Sequence, residues 1–359
     1  MPPRQEPGAR SDWSAPDPSL VILPDATAEP DSLVVPMDTG DRIHYLDWGG
    51  PEGGPAEPLG SGAASLPLPP LVLVHGIGET AWSWAPIARR LRRLTRVIAV
   101  DMRGHGLSDA PVGGYELPSL AMDVLTVMVA NGWGPDASGP PAVVVGHGFG
   151  ADVVVAVAAE RPGAVAGLAL VDGGWEDVGR NAGDEPEQAV KALAEPPEVL
   201  RSMDAWLADR RGFDPVSWDA DQERAARAQV ERRPAGHVVP VLRRHALLGT
   251  VTALLSYRPD ELLPLVSAPV LVAIAGTSAA DDESARDREL ELGDALRLPR
   301  GPVRLVRYPS VGHNVARYVP DALAGELGAL LRLVGGRRSR DTQPTPPPGP
   351  SFDRSRTSG

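Results

Sequence analysis

Cysteine is absent from the 359 residues. Disulfides, iron–sulfur clusters, thiolate zinc sites and a cysteine nucleophile are therefore excluded together. Lysine is almost absent as well: Lys191 is the single lysine among 35 basic residues, so the abundance of arginine is a bias of the whole chain and not the mark of a site. Acidic residues number 47, and the resulting formal charge of -12 repels phosphate backbones and anionic membranes. No nucleic-acid partner is expected. Long apolar runs are missing too. The longest, Val153 to Ala159, falls far short of the about 20 residues that cross a bilayer. The polar, Pro-rich start from Met1 to Arg10 lacks the apolar segment of a secretion signal. The expectation is a soluble cytoplasmic protein with no membrane partner, and no motif calls for a metal or a cofactor.

What is present is an ordinary globular composition, 42% apolar and 23% charged, together with an excess of Gly (39) and Pro (39). The excess is local. Residues 1–30 and 336–359 are Pro-rich and polar and are expected to be disordered tails, and a Pro/Gly/Ala/Ser stretch over 51–70 reads as a flexible surface insertion. Leu33 to Val35 and Ile43 to Trp48, around Asp38-Thr39-Gly40-Asp41, predict a β-hairpin with Gly40 at positive φ.

From Leu71 the pattern changes to short continuous apolar runs: Leu71 to Val74, Val97 to Val100, Ala142 to Val145, Leu168 to Val171, Val270 to Ala275 and Val303 to Val306. Strands that are apolar on both faces belong in a parallel sheet covered by helices on each side. Helical periodicity fits between several of them, over Ala81 to Leu94, Leu117 to Ala130, Gly150 to Ala159 and Glu283 to Leu296. The fold class is therefore α/β, a mostly parallel, doubly wound sheet with right-handed crossovers. Between Trp175 and Ala268 no strand is evident, and helices are predicted over Glu187 to Arg210, Ala220 to Arg232 and Val238 to Ser256. A helical insertion over 176–264 must sit on the sheet as a cap, leaving 31–175 and 265–335 as the core. Open α/β sheets bind ligands at the C-terminal ends of their strands, which is where such a cap would lie.

The central motif is Val143-Val144-Val145-Gly146-His147-Gly148-Phe149-Gly150, a buried strand running straight into a helix. It matches the nucleophile elbow G-x-S-x-G at both flanking glycines, but Gly148 stands where the nucleophile belongs. Flanking glycines are needed where so tight a bend brings backbones together. Upstream, His75-Gly76-Ile77-Gly78 follows the first long parallel strand, where a Gly-rich turn aims N–H groups at an oxyanion, with the N–H of Phe149 as partner donor. Downstream, His313 in Gly312-His313-Asn314 follows the last strand and can swing a base over the bend. Elbow first and histidine last is the hydrolase-type order.

Over Leu33 to Val334 the chain resembles the α/β-hydrolase superfamily, in the capped group of esterases, epoxide hydrolases and haloalkane dehalogenases. That resemblance implies an α/β-hydrolase fold with Gly148 at the nucleophile site, His313 as general base, and Ile77 and Phe149 as oxyanion donors. For the acid it leaves two candidates, Asp281 beyond the Val270 strand and Asp172 in Leu170-Val171-Asp172-Gly173-Gly174. It also implies a small apolar or ester-like substrate. A pocket is expected around His75, Gly76, His147, Trp84 and Trp175, and Trp82, Trp84, Trp175, Trp206 and Trp218, flanking the proposed mouth and cap, suggest that it is apolar. Acyl-enzyme chemistry at Gly148 is impossible, so a weakly active or inactive member is expected, a pseudoenzyme in acyl transfer. The alternatives are general-base catalysis by His313 without a covalent intermediate, or a non-catalytic ligand-binding or scaffold protein. Bland roles are expected elsewhere: Asp101, Arg103 and His105 fixing a loop, and Arg89, Arg90, Arg92, Arg93 and Arg96 forming a solvated helix face.

Overall fold

The computed structural model describes residues 13, 21–51, 68–182, 185–276 and 283–341. Ten strands are present among them: β1 (Asp31–Pro36), β2 (Arg42–Asp47), β3 (Leu71–Val74), β4 (Val97–Val100), β5 (Ala142–His147), β6 (Val165–Val171), β7 (Val230–Arg232), β8 (Val238–Pro240), β9 (Val270–Ala275) and β10 (Val303–Tyr308). Eight form one sheet in the order β1-β2-β4-β3-β5-β6-β9-β10. Pairing is antiparallel for β1/β2 and β2/β4 and parallel for the rest. The predicted hairpin is there, with Gly40 at φ +89°.

Alternation along each strand divides the core. Val72, Val74 and Val144 face the helices α2 (Leu117–Ala130) and α3 (Phe149–Glu160), whereas Leu71, Leu73, Val143 and Val145 face α1 (Ala85–Leu91) and the C-terminal helix over 320–341. Strands β3, β4 and β5 are buried at every position. Burial on both faces is what makes their sequences continuous apolar runs. The chain leaves neighbouring strands β3 and β5 toward opposite faces of the sheet, to α1 and α3 respectively. That switch point opens a crevice at the C-terminal ends of β3 and β5.

The chain between β6 and β9 departs from the expected pattern. It holds α4 (Val178–Ala182), α5 (Pro186–Ala192), α6 (Pro197–Leu200), α7 (Met203–Phe213), α8 (Ala220–Ala228), α9 (Arg244–Ser256) and α10 (Pro259–Leu262), but also the antiparallel ribbon β7/β8. The ribbon corrects the expectation of no strand there. Each arm has only three residues, too few for a period to show, and the turn is marked only by Pro234-Ala235-Gly236, with Gly236 at φ +91°. The ribbon also cuts short the helix expected from Val238, which starts at Arg244 instead. The helix expected over Glu187 to Arg210 is three helices, since Pro196 and Pro197 restrict the preceding backbone and cannot continue a hydrogen-bond ladder. Small cores of their own hold these elements: Val190, Val251 and Leu255 in one, Trp206, Val230 and Val238 in another.

Two further expectations are corrected. Residues 21–30, assigned to a disordered tail, lie against α1: Ile22 is buried and the Asp25 N–H donates to the Arg89 carbonyl at 2.8 Å. The arginine run is mostly not a solvated face. Arg89 is buried and pairs with Asp221 at 2.9 Å and with Glu29, Arg92 pairs with Asp25, Arg90 with Asp321, and Arg96 with Asp47 at 2.5 Å. Burial of the N-terminal acidic segment on this helix needed those counter-charges. At the other end, α13, preceded by α11 (Glu283–Ala295) and α12 (Val315–Tyr318), runs from Pro320 to Asp341, past the expected tail boundary at 336. Most of the 51–70 insertion and residues 342–359 lie outside the described residues.

Candidate functional site

The bend between β5 and α3 is built by backbone approach. A Cβ on Gly146 would come 2.1 Å from the Gly150 carbonyl oxygen, and one on Gly150 would come 2.4 Å from the His75 carbonyl oxygen. No side chain fits either place. Gly148 at the tip has φ +52° and ψ -125°, a conformation that L residues adopt only under strain. A Cβ there would stand 3.1 Å from His313 Nε2. The imidazole thus faces the position where a side chain at residue 148 would begin.

His313 is held from the other side of its ring. Its Nδ1 donates to Asp172 Oδ2 at 2.6 Å, and Asp172 Oδ1 accepts the Ala275 N–H at 2.9 Å. Asp172 lies just past β6 with φ +49°, which an aspartate tolerates better than most residues. The following Gly173 allows close approach, since its Cβ would come 2.4 Å from the Gly148 carbonyl oxygen. Among the described residues, the acid candidate brought to His313 is Asp172. Asp281 lies outside the described residues.

A residue that sequence reasoning passed over ties the surrounding loops together. Glu79 Oε2 accepts the Gly76 N–H at 3.1 Å and bonds His147 Nδ1 at 3.1 Å, and Oε1 accepts from Asn314 Nδ2 at 3.0 Å. One carboxylate therefore joins the loops after β3, β5 and β10. Burial pushes the Glu79 carboxyl up, but the charge of His147 and the hydrogen bond to it outweigh that and hold it at about 2. Burial likewise pulls His147 down, and the Glu79 charge and hydrogen bond, helped by the His313 carbonyl, carry it above its ordinary value. Protonated His147 donates from both nitrogens, to Glu79 and, through Nε2 at 3.0 Å, to the His313 carbonyl. Its ring lies 4.5 Å from that of His313. Nothing in the local spacing of Glu79 pointed to it, because its partners are 68 and 235 residues away.

The N–H groups of Ile77 and Phe149 make no backbone hydrogen bond among the described residues, and Ile77 lines a cavity of about 1230 Å³ together with Glu79 and His313. The five expected pocket residues do not line that cavity. His75, Gly76, Trp84, His147 and Trp175 are buried beneath it, since they pack the turns that carry the site. His75 donates from Nδ1 to the Gly76 carbonyl at 2.8 Å and accepts the Met102 N–H on Nε2 at 3.1 Å, which makes it a neutral strut. Walls come from α5, α7, α9 and α12, with Trp206, which was expected at the mouth and cap, and Leu247 and Tyr318 among them. The Asp101 loop behaves as expected: its carboxylate takes the N–H groups of Ala81 and Leu107 and bonds His44, while His105 bonds the Arg103 carbonyl. Among the described residues no three His, Asp or Glu side chains are grouped to hold a metal ion.

Comparison with known proteins adds to this geometry. Residues 71–326 match the sequence model of the alpha/beta hydrolase family. The chain is 30% identical over 257 residues to a 2-(acetamidomethylene)succinate hydrolase of Mesorhizobium japonicum, covering 70% of this chain and 84% of that protein. Over 137 residues it is 28% identical to mouse epoxide hydrolase 4, covering 38% of this chain and 32% of that one. Among solved structures, E-2-(acetamidomethylene)succinate hydrolase superposes with a TM-score of 0.63 at 24% identity, over 84% of this chain and 99% of that one. A malate-bound esterase from Thermogutta terrifontis superposes at 0.59 with 18% identity, over 86% and 100%. These two likenesses concern the fold.

Proposed function

This chain belongs to the α/β-hydrolase family, and from that premise we propose that it is a nucleophile-deficient member. It forms no covalent acyl or alkyl intermediate, and the chemistry left to it is attack by water with His313 as general base. The observation that carries this reading is the meeting of a complete His313–Asp172 pair with a residue that has no side chain: Nε2 faces Gly148 at 3.1 Å from where a Cβ would be. Asp172 accepts the Nδ1 proton, so the lone pair is left on Nε2, on the cavity side. A water placed between Nε2 and a bound carbonyl gives its proton to Nε2 as its oxygen bonds the carbonyl carbon. The carbonyl oxygen then becomes an oxyanion facing the N–H groups of Ile77 and Phe149. Collapse expels the leaving group, which takes the proton back from His313. The segment 176–264 serves as the cap that covers this site, and the substrates are small ester- or amide-like molecules. The hydrolysis of 2-(acetamidomethylene)succinate by the Mesorhizobium relative agrees with such substrates.

The magnitude follows from what is missing. Losing a triad nucleophile removes several powers of ten, while oxyanion donors and binding retain roughly 10³- to 10⁴-fold over water. With 4-nitrophenyl acetate the wild-type protein is expected to turn over slowly, without a burst of 4-nitrophenol, and His313→Ala to abolish that turnover. Gly148→Ser is expected to introduce a burst and to raise kcat/KM at least about 100-fold. A burst from the wild type, or residual turnover indifferent to His313→Ala, overturns the reading. The size of the cavity favours a second reading, retention of small molecules without turnover, which ligand-dependent thermal stabilisation in the absence of hydrolysis would support.

A further inference from the structure

We propose that the molecule held in the cavity carries a carboxylate, and that Arg317, assisted by Lys191, is its anchor. The inference deepens the reading of this cavity as the substrate pocket and rests on it. The cavity is lined by five cationic side chains against three carboxylates, an excess of positive charge on a chain whose net charge is -12. Three of the five are neutralised by glutamates: Arg210 by Glu195 at 2.5 Å, Arg243 by Glu231 at 2.7 Å and Arg244 by Glu187 at 2.5 Å. Arg317 and Lys191 are the other two, and neither pairs with a carboxylate among the described residues.

Arg317 is fixed by neutral acceptors and makes no ion pair among the described residues, although its charge helps to hold the Asp214 carboxyl below its ordinary value, after the Ser217 hydrogen bond. Nε donates to Ser217 Oγ at 2.7 Å and Nη2 to the Asp214 carbonyl at 2.9 Å, both neutral acceptors. Asp214 uses its own carboxylate on the Val216 N–H, at 3.0 Å. The guanidinium carbon sits 5.8 Å from the Trp218 ring and 5.6 Å from the Tyr318 ring, which restrains its plane. A half-buried guanidinium in a fixed plane, with a free edge, is suited to a planar carboxylate rather than to a hydrated point charge. It follows His313 by four residues and lines the same cavity. Lys191, on the facing α5, is exposed and can swing to the same anion on its flexible stem. Leu247, Val190 and Trp206 supply apolar wall, which suits the carbon skeleton of a small acid.

The test compares a charged and an uncharged ligand of nearly equal shape, monomethyl glutarate and dimethyl glutarate, by calorimetric or NMR titration of the full-length protein. The monoanion is expected to bind about ten-fold more tightly. Arg317→Gln is expected to abolish that preference, Arg317→Lys to retain part of it, and Lys191→Gln to weaken it, each variant checked by circular dichroism. Equal binding of both esters, binding of neither, or a preference that survives Arg317→Gln overturns the proposal. Should Arg317→Gln fail to fold, an undiminished preference in both Arg317→Lys and Lys191→Gln does so. The same titration of His313→Ala separates the two readings. Anion preference without His313-dependent hydrolysis removes the catalytic reading alone, and hydrolysis without anion preference removes this one alone.

Discussion

Gly148 and Asp172 are two residues at positive φ whose backbones are pressed against each other through Gly173, and between them they decide what His313 can do. Asp172 takes the Nδ1 proton and thereby selects the tautomer with a basic Nε2. Asp172→Asn preserves the shape but offers an amide that can donate, favouring the wrong tautomer. Residual hydrolysis is expected to fall about 10³-fold with KM nearly unchanged, measured by steady-state kinetics on a variant of unaltered circular dichroism. At this scale much was legible in the chain. The glycine at the tip of the bend and the late histidine are plain from motif order. The acid was not, because both aspartates follow strands, and only the packing of β6 beside β9 carries Asp172 to the ring.

Among elements, the close contacts are those of the bend with the loops after β3 and β10. Gly150→Ala drives a Cβ into the carbonyls of Val74 and His75, at 2.5 and 2.4 Å, so the first turn of α3 must move away from β3. A loss of about 3 kcal/mol is expected in urea unfolding, with most of the hydrolysis lost as Phe149 leaves its place. Glu79→Gln strips protonated His147 of its buried counter-ion and is expected to cost about 3 kcal/mol at neutral pH. The sign with pH is definite. Glu79 has a folded value of about 2 against an ordinary 4.5, so its contribution is complete above about 4.5 and disappears as pH falls toward 2. Urea midpoints across that window should fall in the wild type, and that part of the fall should be missing in Glu79→Gln. None of this network could be read in advance, since its members are scattered over three loops.

On the scale of the whole molecule, histidines buried without charge add to the acid sensitivity that Glu79 contributes at lower pH. Burial, with the neighbouring His75, pulls His105 from 6.5 to about 3, and the two ring centroids lie 5.0 Å apart with the planes tilted by 58°. A lowered histidine gives full stability above its unfolded value and loses it as pH falls from about 6.5 toward 3. From His105 alone the protein should be about 2 kcal/mol less stable at pH 5 than at pH 7. His105→Phe, which keeps a ring but cannot titrate, should reduce that slope by about one proton. An unchanged slope would place the acid sensitivity elsewhere. The arginine run acts at this scale too, stapling residues 21–30, α8 and α13 to α1 through paired carboxylates, an arrangement invisible while the acids are far off in sequence.

Apolar runs, glycine spacing and motif order settle the sheet, the bend and the glycine at its tip from the chain alone, because each depends on neighbours within a few residues and on one-dimensional periodicity. The partner of His313, the Glu79 junction, the short β7/β8 ribbon and the place of the Arg317 guanidinium in the cavity wall were decided only in three dimensions. Several of these meetings join residues 60 or more positions apart, and a carboxylate has no local pattern to announce which cation it will meet.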